Sequence, residues 1–215
     1  MTEGQHPLRF SWRSFGLWVG LTTVGFILAG GSIHVQTDGT TAPFNLRDLN
    51  LSAAAVGFLF GCVTGLIIAS LQWLSLRSWA PSARLWIPLN AIGFGLEHAF
   101  DDGMPYPPPF DQTAILVIGG VMIGLAQYIA LRHTLSRAFL WVPVSAFAWF
   151  LGFKLGFAML PFVAGNPLGE IALVFGSAGL TIGAVTGMAT KLMVSDRTAL
   201  SGRQLKPEKN KQWAK

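Results

Sequence analysis

The chain has 215 residues, of which 52% are hydrophobic and 12% charged, with 25 glycines, 16 phenylalanines and 8 tryptophans. A water-soluble domain carries about a quarter charged residues, so the composition excludes an ordinary soluble fold, and the single cysteine, Cys62, excludes a disulfide framework or a cysteine-based metal site. The net charge of +5 comes without interleaved aromatic and basic residues, which sets nucleic acid aside as a partner.

In chain order, residues 1–14 read as a cytoplasmic N-terminus carrying Arg9 and Arg13. An apolar run from Phe15 to Ile33 follows, and about twenty such residues suffice for a helix to span the hydrocarbon of a bilayer. No small-x-small cleavage site comes after it, so it reads as a retained anchor rather than a signal peptide. His34 to Asn50 reads as turns, with a short surface helix after Asn45. Further runs extend from Ala53 to Leu76, Leu85 to Phe100, Thr113 to Leu131, Phe139 to Leu160 and Ile171 to Val194. Between the third and fourth, Pro105 to Pro109 predicts an extended, stiff flap. Residues 195–215 read as a polar, basic, disordered cytoplasmic tail. The expectation is an all-α integral membrane protein of six transmembrane helices, with no room for a soluble domain.

Short loops rich in Lys and Arg stay in the cytoplasm. Arg77 and Arg84 link runs two and three, and Arg132 and Arg137 link runs four and five. Arg197, Arg203, Lys206, Lys209, Lys211 and Lys215 occupy the tail. The other face holds Asp38, Asp48, Asp101, Asp102, Asp111 and Glu170, with Arg47 as its clear cation. Both ends are therefore expected inside, with the positive charge also drawing the chain to anionic lipid heads.

Gln72, Trp73, Leu74, Leu76 and Arg77, then Ala83, Trp86 and Pro88, align at a constant offset of 55 with Gln127, Tyr128, Ile129, Leu131 and Arg132, then Ala138, Trp141 and Pro143. A weaker third copy matches Trp18 and Thr22 to Trp86 and Asn90 and to Trp141 and Ser145. In the last run Gly183, Gly187 and Thr190 stand near the places of the glycines and glutamines. The repeat is an outward helix, an outer loop and an inward helix, used three times, at about 15–76, 85–131 and 139–194. Each Trp is expected among lipid headgroups with its N–H wet. Each Arg is expected to anchor the end of an inward helix.

These residues resemble those of polytopic bacterial membrane proteins without assigned activity in which Gln-Trp-Leu-x-Leu-Arg hairpins recur. The resemblance implies no chemistry, and with the uncleaved first run it points to a bacterial cytoplasmic (inner) membrane.

Glycines four apart (57, 61, 65; 120, 124; 152, 156; 179, 183, 187) predict close helix packing within the bundle, with homo-oligomer or partner contacts as the alternative. Thr22, Asn90 and Ser145, with Gln72, Gln127 and Thr190, form a predicted polar layer roughly 6 to 8 Å inside the cytoplasmic boundary. Its plain reading is interhelical hydrogen bonding; the sharper one is a polar vestibule.

Ionisable groups inside a membrane need a partner or a task. Glu97 and Lys154 fall roughly 16 and 20 Å along equivalent helices, which suggests an ion pair that pins them or couples to an ion or substrate. The densest constellation is Glu97, His98, Asp101 and Asp102, with His34 a candidate neighbour. It suits a divalent metal, a proton relay, or a pigment or haem on His98; the plain alternative is a wet helix end. His6 and His133 read as surface residues.

No Walker loop, nucleophile elbow, zincin or dinucleotide motif is present, which disfavours an enzyme. Three functions remain: an accessory or scaffold subunit of a membrane complex, a small-solute or ion-coupled transporter using Glu97 and Lys154, and a metal- or cofactor-binding protein at Glu97 to Asp102.

Overall fold

The computed structural model describes residues 10–33, 51–104, 112–135, 137–163 and 165–204, and no strand occurs among them. The long helices are α1 (Trp12–Ile33), α2 (Leu51–Leu76), α3 (Trp86–Gly103), α4 (Gln112–Leu131), α5 (Trp141–Ala158) and α7 (Gly176–Gln204). A short α6 (Pro167–Glu170) and a π-helical turn, Ile171–Phe175, lead into α7 as one continuous rod. His34, the His34 to Asn50 segment and the Pro105 to Pro109 flap lie outside the described residues.

Local chemistry sets these boundaries. Trp86 and Trp141 open α3 and α5. Pro88 and Pro143 then fall in the first turn, where a missing N–H forfeits no intrahelical bond. Asn166 caps α6 by accepting the Gly169 N–H at 3.1 Å, with Pro167 at the first helical position. Just before it Gly165 takes φ 85°, the left-handed region that favours glycine. The helix α7 runs on to Gln204, so residues 195–204 of the expected disordered tail are helical instead.

Five helical segments are long and apolar enough to cross a membrane. The exception is α3, whose 18 residues carry Glu97, Asp101 and Asp102 in their second half. It is gripped by α2 along its length. A Cβ on Gly65 would come within 2.8 Å of Ala91 Cα, and Gly61 and Gly57 abut the Phe94 and His98 carbonyls.

The helices form a closed ring in which each packs on the next, α1 on α2 through α4 on α5, then α5 on α7 and α7 on α1. Glycine makes the close approaches around it. A Cβ on Gly120 would meet Ala146 Cα at 2.6 Å, on Gly156 the Val174 carbonyl at 2.6 Å, and on Gly179 Thr23 Cα at 2.9 Å. All ten glycines of the four-apart series (57, 61, 65, 120, 124, 152, 156, 179, 183 and 187) face a neighbour inside the bundle. Such proximity lets dispersion and backbone contacts act where lipid offers no hydrophobic contrast.

The ring is apolar on the outside, with Leu17, Val24, Leu28, Leu59, Ile92, Phe147 and Leu180 exposed. Its polar side chains Thr22, Gln72, Asn90, Gln127, Ser145 and Thr190 are buried. That inverts a soluble core. Inside, one apolar layer gathers Trp18, Leu76, Trp79, Trp86, Leu131 and Trp141 toward the Arg-bearing turns, and a second gathers Phe26, Ile68, Phe94, Ile123, Trp149 and Ile182 at mid-length.

Candidate functional site

Three indoles meet on the axis of the ring. The Trp18 and Trp86 rings are 5.7 Å apart, and each lies 6.3 Å from Trp141, all edge to face. None is more than 1% exposed. The expected position among headgroups is therefore incorrect: the rings point inward, and two of the three N–H groups find acceptors inside the protein. Trp141 Nε1 donates to Gln127 Oε1 at 2.5 Å, and Trp18 Nε1 donates to Thr186 Oγ1 at 3.0 Å.

Eight residues beyond each Trp stands a second aromatic, Phe26, Phe94 and Trp149, and these rings also touch pairwise at 6.4, 5.5 and 5.4 Å. Phe94 and Trp149 meet edge to face while Phe26 is tilted against both, and edge-to-face pairs contribute about 0.5 to 1.5 kcal/mol each beyond their burial.

Five of the six polar side chains, Thr22, Gln72, Asn90, Gln127 and Ser145, hydrogen-bond to one another across helices. Gln127 Nε2 donates to Asn90 Oδ1 at 2.7 Å, and Gln127 Oε1 accepts from Ser145 Oγ at 3.1 Å as well as from Trp141. Gln72 Nε2 donates to Thr22 Oγ1 at 3.1 Å. Thr190 departs from the expectation, since its hydroxyl bonds back to the Thr186 carbonyl of its own helix at 2.8 Å. The residue that receives an indole N–H on α7 is Thr186, one turn earlier. The packing agrees: Gly65, Gly120 and Gly179 abut Phe94, Trp149 and Phe26, and Thr186 follows Gly179 by the seven residues that separate Gln72 from Gly65 and Gln127 from Gly120. Gly183 precedes Thr190 by the same seven residues, so spacing alone concealed this register in the sequence, and the contact of Gly179 with Phe26 decides it.

At the far end of α3, Glu97 is 12% exposed and lies against Gly119 of α4. His98 Nδ1 sits 2.5 Å from Glu97 Oε2 and donates to the Phe94 carbonyl at 3.1 Å. Glu97 Oε2 has no aligned hydrogen bond beyond this close contact, which is an ion pair when the imidazole is protonated. No ion pair joins Glu97 to Lys154 among the described residues. The position on α5 equivalent to Glu97, 11 residues after the opening Trp, is Gly152, and Lys154 lies about 200° further round the helix.

Asp101 and Asp102 occupy the last turn of α3 with exposed surface. Burial, then the Glu97 and Asp102 carboxylates, push the Asp101 carboxyl up to about 6 against the opposing pull of His98. Asp102 is also raised, by burial first. No group of three metal-capable side chains is found among the described residues, so Glu97, His98, Asp101 and Asp102 are not arranged as a ligand set.

No known protein family, characterised protein or solved structure matches the chain. What remains is the chemistry of the interior. Its amides, hydroxyls and indoles are occupied mainly with one another, which rigidifies a bundle.

Proposed function

We propose that the protein is a non-enzymatic accessory or scaffold subunit of a membrane complex. In this reading it is a six-span bundle of three repeated hairpins in the bacterial cytoplasmic membrane, with both ends inside. The observation that carries it is the constricted axis, where Trp18, Trp86 and Trp141 close edge to face, with Gln127 bonded to the Trp141 indole and Thr186 to that of Trp18. An interior given over to packing leaves the lipid-facing surface and the loops to do the work. The repeat is supported by the 55-residue offset and by Gly65, Gly120 and Gly179 abutting matched aromatics. The orientation is supported by the arginines that fall in the turns after α2 and α4, and the third span by the tight grip of α2 on α3.

Native mass spectrometry of the protein gently extracted from its own membranes tests the assignment. A stoichiometric heavier complex is expected. A lone chain that carries out flux or catalysis by itself refutes the reading.

The Glu97 carboxylate, mostly buried against Gly119 of α4 and in contact with His98 Nδ1 at 2.5 Å, favours a second reading, an ion-coupled carrier of a small solute. It requires flux in liposomes that Glu97→Gln abolishes; unchanged flux removes it.

A further inference from the structure

A cavity lies on the bundle axis between the two aromatic layers, with Trp18 and Trp141 toward one end and Phe26, Phe94 and Trp149 toward the other. Its polar wall consists of Gln72, Gln127, Ser145 and Thr186, and no charged side chain lines it. The room for the centre of a water molecule is about 20 Å³, against about 10 to 15 Å³ that one water requires.

The hydrogen bonds around this space are complete except at one place. Gln127 uses both ends of its amide, and Thr186 accepts from Trp18 and donates to the Ile182 carbonyl at 2.6 Å. Gln72 is 3% exposed and uses its Nε2 on Thr22, yet its Oε1 is buried with no partner. The Trp86 Nε1 is buried and unpartnered as well. Trp86 follows Gln72 by the same 14 residues by which Trp141 follows Gln127, so the two orphaned atoms are the counterparts of a bond formed one hairpin along.

We propose that this cavity is a hydration site holding an ordered water that donates to Gln72 Oε1. The wall dictates the occupant. A carbonyl oxygen only accepts, so the guest must donate a hydrogen bond. Without a charge to balance one, the guest is neutral, and the room admits little beyond one water. Its lone pairs remain free for a donor. Trp86 does not line the cavity, but its ring packs against Trp18 and Trp141, which do, so a small tilt offers its N–H to the same water. Leaving the Gln72 carbonyl dry would carry the desolvation penalty of an unmade hydrogen bond, and the water removes that penalty. The competing arrangement is a direct Trp86 to Gln72 bond over an empty cavity.

Radiolytic hydroxyl labelling of the full chain in lipid nanodiscs, read by mass spectrometry, separates the two. Radicals are generated from bound water in place, so the cavity-lining Trp18 and Trp141 should be oxidised despite their complete burial. In Gln72→Leu that oxidation should fall several-fold while Trp12, 63% exposed, is labelled as before. If the variant does not fold, the wild-type protein decides alone. Trp18 and Trp141 left unoxidised at a dose that saturates Trp12 overturns the proposal, as does oxidation that Gln72→Leu leaves unchanged.

Discussion

Gln72 and Gln127 stand at matched positions 55 residues apart, yet they are wired differently, and this difference should appear as stability. Gln127→Leu keeps the volume and removes three hydrogen bonds, one donated to Asn90 and two accepted from Trp141 and Ser145. Hydrogen bonds between membrane helices average about 0.6 kcal/mol and reach about 1.7. Three of them sum to about 2 to 5 kcal/mol, and the stranded indole N–H of Trp141 pushes toward the upper figure. Gln72→Leu removes a single direct bond, to Thr22, and is expected to cost about 0.6 to 1.7 kcal/mol, with at most one further bond lost to a bound water. The substitution at Gln127 should therefore cost more, by one to two bonds or about 0.6 to 3.4 kcal/mol. Unfolding with sodium dodecyl sulfate in mixed micelles, followed by far-ultraviolet circular dichroism, measures both variants without relying on indole fluorescence. Equal costs, or a larger one at Gln72, would refute the view that these bonds rather than the shape of the side chain hold the axis.

Gly120→Val forces a Cβ to within 2.6 Å of Ala146 Cα and should destabilise by about 1 to 3 kcal/mol, whereas Gly20→Ala, with open space around it, should change stability by less than about 0.5 kcal/mol; the same detergent titration ranks them. The Asp101 carboxyl, raised to about 6 in the folded protein from 3.8, binds its proton more tightly when folded, so its contribution to stability falls as pH rises from about 4 to about 6 and is flat above. Asp101→Asn should flatten that part of a thermal-unfolding pH profile, and a profile left unchanged counts against the crowding of the four side chains. In a Cys62→Ala background, a membrane-impermeant maleimide applied outside intact cells should label Phe162→Cys and spare Ser78→Cys; the reverse pattern overturns the orientation.

Helix positions were largely legible because a bilayer imposes a length and a polarity that a one-dimensional scan detects. The runs ending at Leu76 and Leu131 end there in the structure, and Arg77 and Arg132 follow as exposed first residues of the turns. The third helix is harder to read, since α3 is held by the glycines of α2 rather than by its own apolarity. Direction around a helix was not legible. A Trp at the start of a span suits the headgroup zone or the axis equally well, and the buried acceptors found here, Gln127 for Trp141 and Thr186 for Trp18, are pairings that hydropathy does not weigh. The polar layer was identified from its spacing, but its member on α7 was misplaced by one turn, because Thr186 and Thr190 occupy nearly the same side of that helix. Glu97 and Lys154 failed to meet for the complementary reason: similar depth along two helices says nothing about which way each side chain points.

The closed ring also bears on how the protein is assembled. Every helix but α1 can dock on a predecessor as it leaves the ribosome, while α1 must wait for α7 before its second flank is covered. Until then the Trp18 indole lacks Thr186, and the faces of Val19, Thr22 and Phe26 that receive Gly183 and Gly179 lie open to lipid or to any insertion factor that shelters them. Joining α1 to α7 is thus the latch of the whole bundle, and a lesion in either should leave five helices inserted in an open crescent.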